Sequence, residues 1–585
     1  MREAPTAGAR WAAATLGAVA LLALAAAILL LMEPDRPRSG GFRAQGEENA
    51  GGPDLPVSAS PADTATRTAL AVGWDGGTVC YEIFVRSFQD SDDDGVGDLQ
   101  GLLDRLDYVN DGDPDGGEDL GADCIWLMPT FPSPSYHGYD VTDYTAVNPE
   151  LGTLDDLRAF LTAAHARGVR VLLDLVINHT SDRHPWFVDA LSGAGATHRD
   201  WYRFSDVTGP DNEYGDNNRR PTPSGEEFYY GFFSPRMPDL DWDHPAVRRE
   251  MERIADFWLL EVGVDGFRLD AVRHLMEDQD GTSTNVPRTH DMLRELGRHV
   301  RSVQPSAFTV GEVFDSTGAL VPYYPDQLDS FFAFQVANAI VDAARTGSNR
   351  RLLAAVDEAR EEIPGHRWST FIRNHDQTRA LTELGGDVGR ARVAASLLLT
   401  LPGIPFVYYG EEIGMTGDKP DRRLRTPMHW ERRPGGGFTG GEPWEPLQAD
   451  SARATVAGQS SDPNSLLSHY RRLIHLRTAD PALGRGEWVP LDAGTDGVAA
   501  YLRRTAAEAV LVAVNLRGEP TGPLALSGSR ESLPPAAYRM ERVAGFTPNG
   551  PTVGPYTASE AGISGWEIPS IGGYGTVILR VLPDR

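Results

Sequence analysis

The chain has 585 residues, 41% of them hydrophobic, which exceeds one ordinary domain and can fill a large core. Its formal net charge of -29 excludes a sequence-independent hold on nucleic acid, whose phosphates would be repelled. Positive charge is carried almost wholly by arginine, Lys419 being the one lysine, a compositional bias to which no function attaches.

Residues 11–32 form an uninterrupted apolar segment, long enough to span a bilayer and longer than the roughly 7–15 residues of a signal-peptide core. They predict an N-terminal transmembrane anchor over 1–32. Arg2 and Arg10 precede it and Glu33 and Asp35 follow it, so the positive-inside rule leaves the N-terminus cytoplasmic and the rest extracytoplasmic. Cleavage after the alanines at 25–27, giving a secreted chain, is the alternative. Residues 33–70 are rich in Pro, Gly, Ala and Ser without apolar periodicity and predict a flexible linker.

From residue 79 onward, apolar strands alternate with amphipathic helices. At 153–168 a T-x-x-D cap opens a helix with Leu154, Leu157, Phe160 and Leu161 inward, and glycine closes it. Such alternation predicts an α/β fold, a (β/α)8 TIM barrel with its active site at the C-terminal strand ends. The eight strands are read at 79–86, 124–128, 169–177, 266–269, 308–312, 328–334, 371–374 and 406–409. Cys80 and Cys124 fall in the first two and are read as buried free thiols; a disulfide between neighbouring strands is the alternative in an oxidising compartment. A long aromatic-rich insertion, domain B at 180–249, follows the third strand. Its rings, among them Trp201, Tyr202, Phe204, Phe228, Tyr229, Tyr230, Phe232 and Phe233, are expected mainly to pack its small core. The barrel is assigned 71–179 and 250–480. After a helix at 465–477 the pattern changes to short alternating strands, predicting a C-terminal antiparallel β domain, a β-sandwich, over 481–585.

Four segments carry the chemistry: DLVINH (174–179), GFRLDAVRH (266–274), VGEVFD (310–315) and FIRNHD (371–376). Each begins apolar and ends in Asp, Glu, Arg or His, as where buried parallel strands deliver reactive side chains to one barrel face. Glycosidic cleavage through an oxocarbenium-like state needs one carboxylate nucleophile and one carboxylic acid that protonates the leaving oxygen. Asp270 and Glu312 supply that pair. Arg268, two residues before Asp270 on the same strand, projects from the same face and orients it. Asp376 is a third carboxylate for substrate hydroxyls, and His179 and His375 are hydrogen-bond donors to the same sugar.

These segments, with GADCIWLMP (121–129), SYHGYDVTDY (135–144), MPDLD (237–241), GIPFVYYGEEIGM (403–415) and RTPMHW (425–430), resemble the α-amylase family of retaining glycoside hydrolases, glycoside hydrolase family 13, from about residue 79 to the C-terminus. The resemblance implies Asp270 as nucleophile, Glu312 as general acid/base and Asp376 as transition-state stabiliser. It further implies Tyr139 as the sugar-stacking ring, and Arg268, His179 and His375 as subsite residues.

Asp90, Asp92, Asp94 and Asp98 alternate in a glycine-containing loop, a spacing by which hard oxygens wrap Ca²⁺, although Gly101 stands where an EF-hand needs Glu. The loop resembles the calcium site of bacterial family members, which implies Asp90, Asp92, Asp94, the Val96 carbonyl and Asp98 as ligands. Asn178 matches a second-calcium ligand of some amylases, its partners in the insertion unidentified.

The pair Arg273-His274 after the nucleophile resembles α-1,4-acting amylases and implies His274 as a subsite residue. Exo-acting relatives place an aspartate three residues before the stacking tyrosine to pair with an arginine; here that position is Tyr136, so an open donor side is expected, with Arg425 lacking that partner. RTPMHW and GGFTGGEPW (436–444) resemble α-glucosidases and trehalose synthases as much as amylases, and MPDLD departs at its last residue from the MPDLN of the intermediate subfamily between α-amylases and oligo-1,6-glucosidases. The expectation is an α-amylase of that intermediate kind acting on starch or maltooligosaccharides. An exo-acting α-glucosidase or oligo-1,6-glucosidase, or a trehalose synthase, is the alternative. A non-catalytic amylase-like transporter heavy chain is disfavoured, because the carboxylates are kept and no cysteine precedes Cys80.

Overall fold

The computed structural model describes residues 71–584 except 72, 115, 210, 212–216, 279–281, 451–452, 530–531, 544 and 547–555. The expected anchor and linker, residues 1–70, lie outside the described residues. Among the described residues no helix is long and apolar enough to cross a membrane.

Eight parallel strands close into a barrel: β1 (Cys80–Ile83), β2 (Cys124–Leu127), β3 (Arg170–Leu175), β7 (Gly266–Leu269), β8 (Phe308–Gly311), β9 (Ser330–Phe332), β10 (Trp368–Thr370) and β11 (Ile404–Tyr408). Strand alternation sorts the interior into layers. Cys80, Cys124, Leu172, Phe308, Phe332 and Phe406 form an apolar floor around Trp126, closed below by Trp74 stacked on Phe308 at 4.5 Å. Two residues further along their strands, Glu82, Asp174 and Val310 follow, and the same period carries Arg268, Asp270 and Glu312 to the upper rim. The period that buries the floor therefore places the charges above it.

The strand read at 371–374 is displaced: β10 ends at Thr370. Its ladder pairs Trp368 and Ser369 with Phe331 and Phe332, and the chain then leaves the sheet. Arg373 turns away to bind Glu383, with Nε and Nη2 at 2.5 and 2.7 Å, while His375 turns into the barrel. The cysteines are a second correction. Cys80 and Cys124 are register partners in β1 and β2 and are joined by a disulfide, not free thiols.

Gly266 opens β7 at φ 146°, and a Cβ there would sit 1.9 Å from the Phe308 carbonyl oxygen, so the β7–β8 approach requires glycine. Gly266→Ala is expected to destabilise the fold by about 3 kcal/mol or more. Urea denaturation tests this; a loss below about 0.5 kcal/mol would contradict the steric argument.

The helix expected at 153–168 spans Leu154–Ala166 with a Thr153–Asp156 capping box, Leu157, Phe160 and Leu161 buried, and Leu154 half-buried. Domain B holds a three-stranded sheet, β4 (Phe204–Ser205), β5 (Arg219–Pro221) and β6 (Phe228–Tyr230), in the order β4-β6-β5. Tyr202 and Tyr229 are buried in the core as expected and Tyr230 is buried too, whereas Phe232 is buried against His274 on the cavity and Phe233 is 44% exposed. The return helix, Pro245–Asp256, starts inside the range read as domain B because His244 caps it and Pro245 fits its first position.

The C-terminal domain follows helix Pro481–Arg485. Its strands are β12 (Glu487–Leu491), β13 (Val498–Arg504), β14 (Ala509–Asn515), β15 (Leu524–Gly528), β16 (Ala536–Arg542), β17 (Tyr556–Ser559), β18 (Gly562–Ile568) and β19 (Thr576–Pro583). They form one continuous antiparallel sheet, β12-β13-β14-β19-β16-β17-β18-β15, rather than the two separate sheets of a sandwich. A register shift between Leu526 and Gly528 lets the ends approach, with Asp492 bridging Ser527.

Candidate active site

Arg268, buried on β7, organises the rim. Its Nη1 donates to Asp174 Oδ1 and Oδ2 at 2.8 and 2.9 Å and to Asp270 Oδ1 at 2.7 Å, and its Nη2 donates to Glu312. One guanidinium thus spans the two carboxyls read as nucleophile and acid. Ala271, directly after Asp270, adopts φ 49°, a left-handed backbone that L-residues seldom take. That turn ends β7 beside the Asp270 carboxyl, and the Ala271 N–H points to Glu312 Oε2 at 3.4 Å.

Beside this pair, Tyr139 donates from its hydroxyl to Asp174 Oδ2 at 3.0 Å, shares a 2.7 Å bond with His375 Nε2 and stacks on that imidazole at 5.6 Å. His375 Nδ1 meets Glu82 Oε1 at 2.5 Å, and Nε2 faces Asp376 Oδ2 at 3.2 Å. Arg425 Nη2 donates to Asp376 Oδ1 at 2.6 Å and its Nε to the His375 carbonyl at 3.0 Å. Position 136 offers Arg425 no carboxylate, as expected there; Asp376 takes it instead, and Asp421 stands 3.9 Å away.

Charge follows from this packing. Burial pushes Asp174 up to about 7 and lifts Asp270 and Glu312 above the usual carboxylate range, with Arg268 opposing in each case. Glu312 also feels both Asp270 and Asp376, while Arg268 holds both Asp270 and Glu312. A raised pKa is what an acid catalyst requires of Glu312. Burial opposes charge on His375 too, but Asp376 and Glu82 outweigh it and raise the imidazole to about 10. For Asp376 burial is outweighed by His375 and Arg425, which hold it far below the usual range. His179 falls to about 4 and His274 to about 3, both mainly through burial, so both are neutral near pH 7.

The rim opens into a cavity of about 590 Å³ lined by expected residues Tyr139, His179, Asp270, His274, Glu312, Asp376 and Arg425. Arg268 and His375 lie beneath that surface, and His375 is fully buried, so it acts on Asp376 and Tyr139 rather than as the expected direct donor. His179 Nε2 meets the Tyr139 carbonyl at 3.2 Å, and His274 Nδ1 meets the Ser283 carbonyl at 3.1 Å with its ring on Phe232 at 4.1 Å.

The sequence reading missed several contributors. Glu82 and Asp174 are acids two residues beyond a floor residue on buried strands, a signal that period 2 would have revealed. His137, Phe314 and Asp421 also line the cavity, and only Phe314, two residues after Glu312, had a register clue.

Carboxylate oxygens of Asp90, Asp92 and Asp98 lie within 4.8 Å of one another, and among the described residues none pairs with Arg or Lys. Asp94 is outside this group; its Oδ1 accepts the Val96 N–H at 2.8 Å, as oxygens of Asp90, Asp92 and Asp98 accept the N–H groups of Gly95, Asp94 and Gly101. Three hard oxygens without a cationic partner suit Ca²⁺. Asn178 meets Asp239 from domain B. Asn178 Oδ1 and Asp239 Oδ2 are both buried without a hydrogen-bond partner, and burial lifts Asp239 to about 8.

Residues 82–486 match the family profile of the α-amylase catalytic domain. The chain belongs to the α-amylase family. Alpha-amylase 3 of Dictyoglomus thermophilum is 38% identical over 447 residues, 76% of this chain and 85% of that protein. The oligo-1,6-glucosidase of Parageobacillus thermoglucosidasius is 31% identical, covering 76% of this chain and 90% of its own. The trehalose synthase of Pimelobacter sp. is 34% identical, covering 74% and 84%. Among solved structures, the α-amylase from H.orenii aligns with a TM-score of 0.75 and 36% identity over 87% of this chain and 100% of its own. This α-amylase-family member is a glycoside hydrolase, and relatives named amylase and oligo-1,6-glucosidase agree with the intermediate subfamily read from its motifs.

Proposed function

We propose that this enzyme is a retaining α-glucan hydrolase that cleaves internal α-1,4-glucosidic bonds of starch and maltooligosaccharides. The observation that carries the reading is Arg268 spanning Asp270 and Glu312 in a cavity with unlike flanks. In its lining Arg425 groups with Asp376 and Asp421, and His274 groups with Phe232 and the exposed ring of Phe233; Phe314, also exposed, follows Glu312 by two residues. Glu312 protonates the leaving oxygen, and in this reading the departing sugar lies toward Phe314, two residues beyond Glu312, and the glucosyl unit under attack toward Asp376. Asp270 forms the C1–O bond as the leaving oxygen takes the Glu312 proton. Glu312 carboxylate then draws a proton from water, whose oxygen displaces Asp270 and restores the starting configuration.

Cleavage of maltoheptaose blocked at its non-reducing end tests the internal cut. Early internal fragments are expected; glucose released only from the unblocked chain would favour the second reading, an exo-acting α-glucosidase or oligo-1,6-glucosidase, or a trehalose synthase. That reading draws support from Asp421 beside Arg425 on the cavity wall and from the relatives so named.

Ca²⁺ is proposed at Asp90, Asp92 and Asp98, where it would fix the loop after β1. The fit of oxygens to charge supports it. Chelation with EDTA is then expected to lower Tm by about 5 °C, calcium to restore it, and Asp90→Ala to abolish the response. A Tm indifferent to chelator would remove calcium from the account. Residence outside the cytoplasm, membrane-held or secreted, is proposed from the N-terminal apolar segment, and the Cys80–Cys124 disulfide suits an oxidising compartment.

A further inference from the structure

Three separated segments meet beside Arg425, on the side assigned above to the glucosyl unit under attack, without a role in that chemistry. Tyr136 stacks on Trp444 at 5.4 Å and 27°, and the Arg422 guanidinium lies 4.9 Å from the centroid of each ring. Arg422 Nε donates to Glu445 Oε2 at 2.9 Å and its Nη2 to the Trp444 carbonyl at 3.3 Å. Trp444 is itself fixed, its N–H donating to the Gly95 carbonyl of the acidic loop at 2.9 Å and its Nε1 to Ser87 Oγ at 3.0 Å. The chain neighbours of this group reach the cavity: His137 follows Tyr136, and Asp421 precedes Arg422.

A surface arginine ordinarily samples many rotamers, and ordering it on a ligand costs entropy. Arg422 is held in advance by two rings, a carboxylate and a carbonyl, yet its side chain stays 47% exposed beside the cavity wall. Such a guanidinium offers its remaining N–H groups in a fixed direction, suited to vicinal hydroxyls of a sugar. We infer that Arg422, mounted on the Tyr136–Trp444 stack, is a specificity-determining residue that binds glucosyl units on the donor side beyond the one attacked. This deepens the proposed α-glucan reading and rests on it. Arg422 touches no reacting atom; it sets how much a longer donor gains over a single glucose.

The test compares 4-nitrophenyl α-glucoside with 4-nitrophenyl α-maltotrioside, following nitrophenol release by the parent and by Arg422→Ala. The ratio of kcat/KM, maltotrioside over glucoside, is expected to fall about tenfold in the variant, chiefly through KM, with Arg422→Lys recovering part of it. A loss that reaches the site only through a disturbed Arg425 would weaken both substrates alike. A ratio within twofold of the parent's therefore overturns the inference. Trp444→Phe, which keeps a ring under the guanidinium, should retain most of the preference, and its collapse to the Arg422→Ala value would assign the effect to the tryptophan instead. A parent that gains nothing from the longer donor would overturn the internal-cut reading, and the inference with it, before any variant is compared.

Discussion

Asp270→Asn is expected to lower kcat on maltooligosaccharides by ~10⁴-fold or more while leaving the fold and sugar binding nearly intact. The amide keeps the shape of the carboxylate and an oxygen for Arg268 Nη1, which donates to Asp270 Oδ1 at 2.7 Å, but it cannot form the glycosyl ester. Asp376, Arg425 and the aromatic flank remain, so the variant should still bind substrate. Initial rates on maltoheptaose, with binding followed by tryptophan fluorescence, check both halves of the statement. Activity within tenfold of the parent would remove Asp270 from the nucleophile's role.

Arg268→Met is expected to be the most damaging single change to stability at the rim. It leaves Asp174, Asp270 and Glu312 buried without their shared cation, and stranding buried charge typically costs about 3–5 kcal/mol. The sign of its pH dependence is fixed. Burial already raises all three carboxyls above their unfolded values, and loss of Arg268, which opposes that rise, raises them further. Groups with raised folded pKa contribute full stability below their unfolded pKa, near 4, and lose it as pH climbs through the folded value. For Asp174 that value is about 7 with Arg268 in place. The deficit of Arg268→Met against the parent should therefore shrink at pH 5 and widen at pH 8. Urea midpoints at the two pH values measure it, and an equal deficit at both would refute the charge argument.

What was legible in the sequence is what period 2 and strand ends dictate. A buried parallel strand must be apolar until its last residues, so GFRLD and VGEVFD announced both a barrel and the side chains it delivers. Arg268 could be placed with Asp270 because two residues along a strand share a face. Contacts made across the barrel could not be read in that way. Glu82 meets His375 over 293 positions of sequence, and no local pattern marks that bond, although it joins Asp376 in raising the imidazole. FIRNHD resembled a strand because its start is apolar; the ladder ends before it, since Arg373 and His375 must face opposite directions. At position 136 the absence of an acid was read as an open donor side, but no local pattern told which carboxylates, Asp376 and Asp421, face Arg425 from elsewhere in the chain. The C-terminal strands were visible as strands, but whether they make one sheet or two depends on pairings such as β14 with β19, which local alternation leaves open.

The central claim is that Asp270 and Glu312 carry out a double displacement. ¹H NMR of the sugar anomer released in the first minutes of maltoheptaose cleavage, before mutarotation, tests it most directly. The account predicts an α-configured reducing end, retained from the substrate; a β-configured first product would mean direct attack by water and would contradict it.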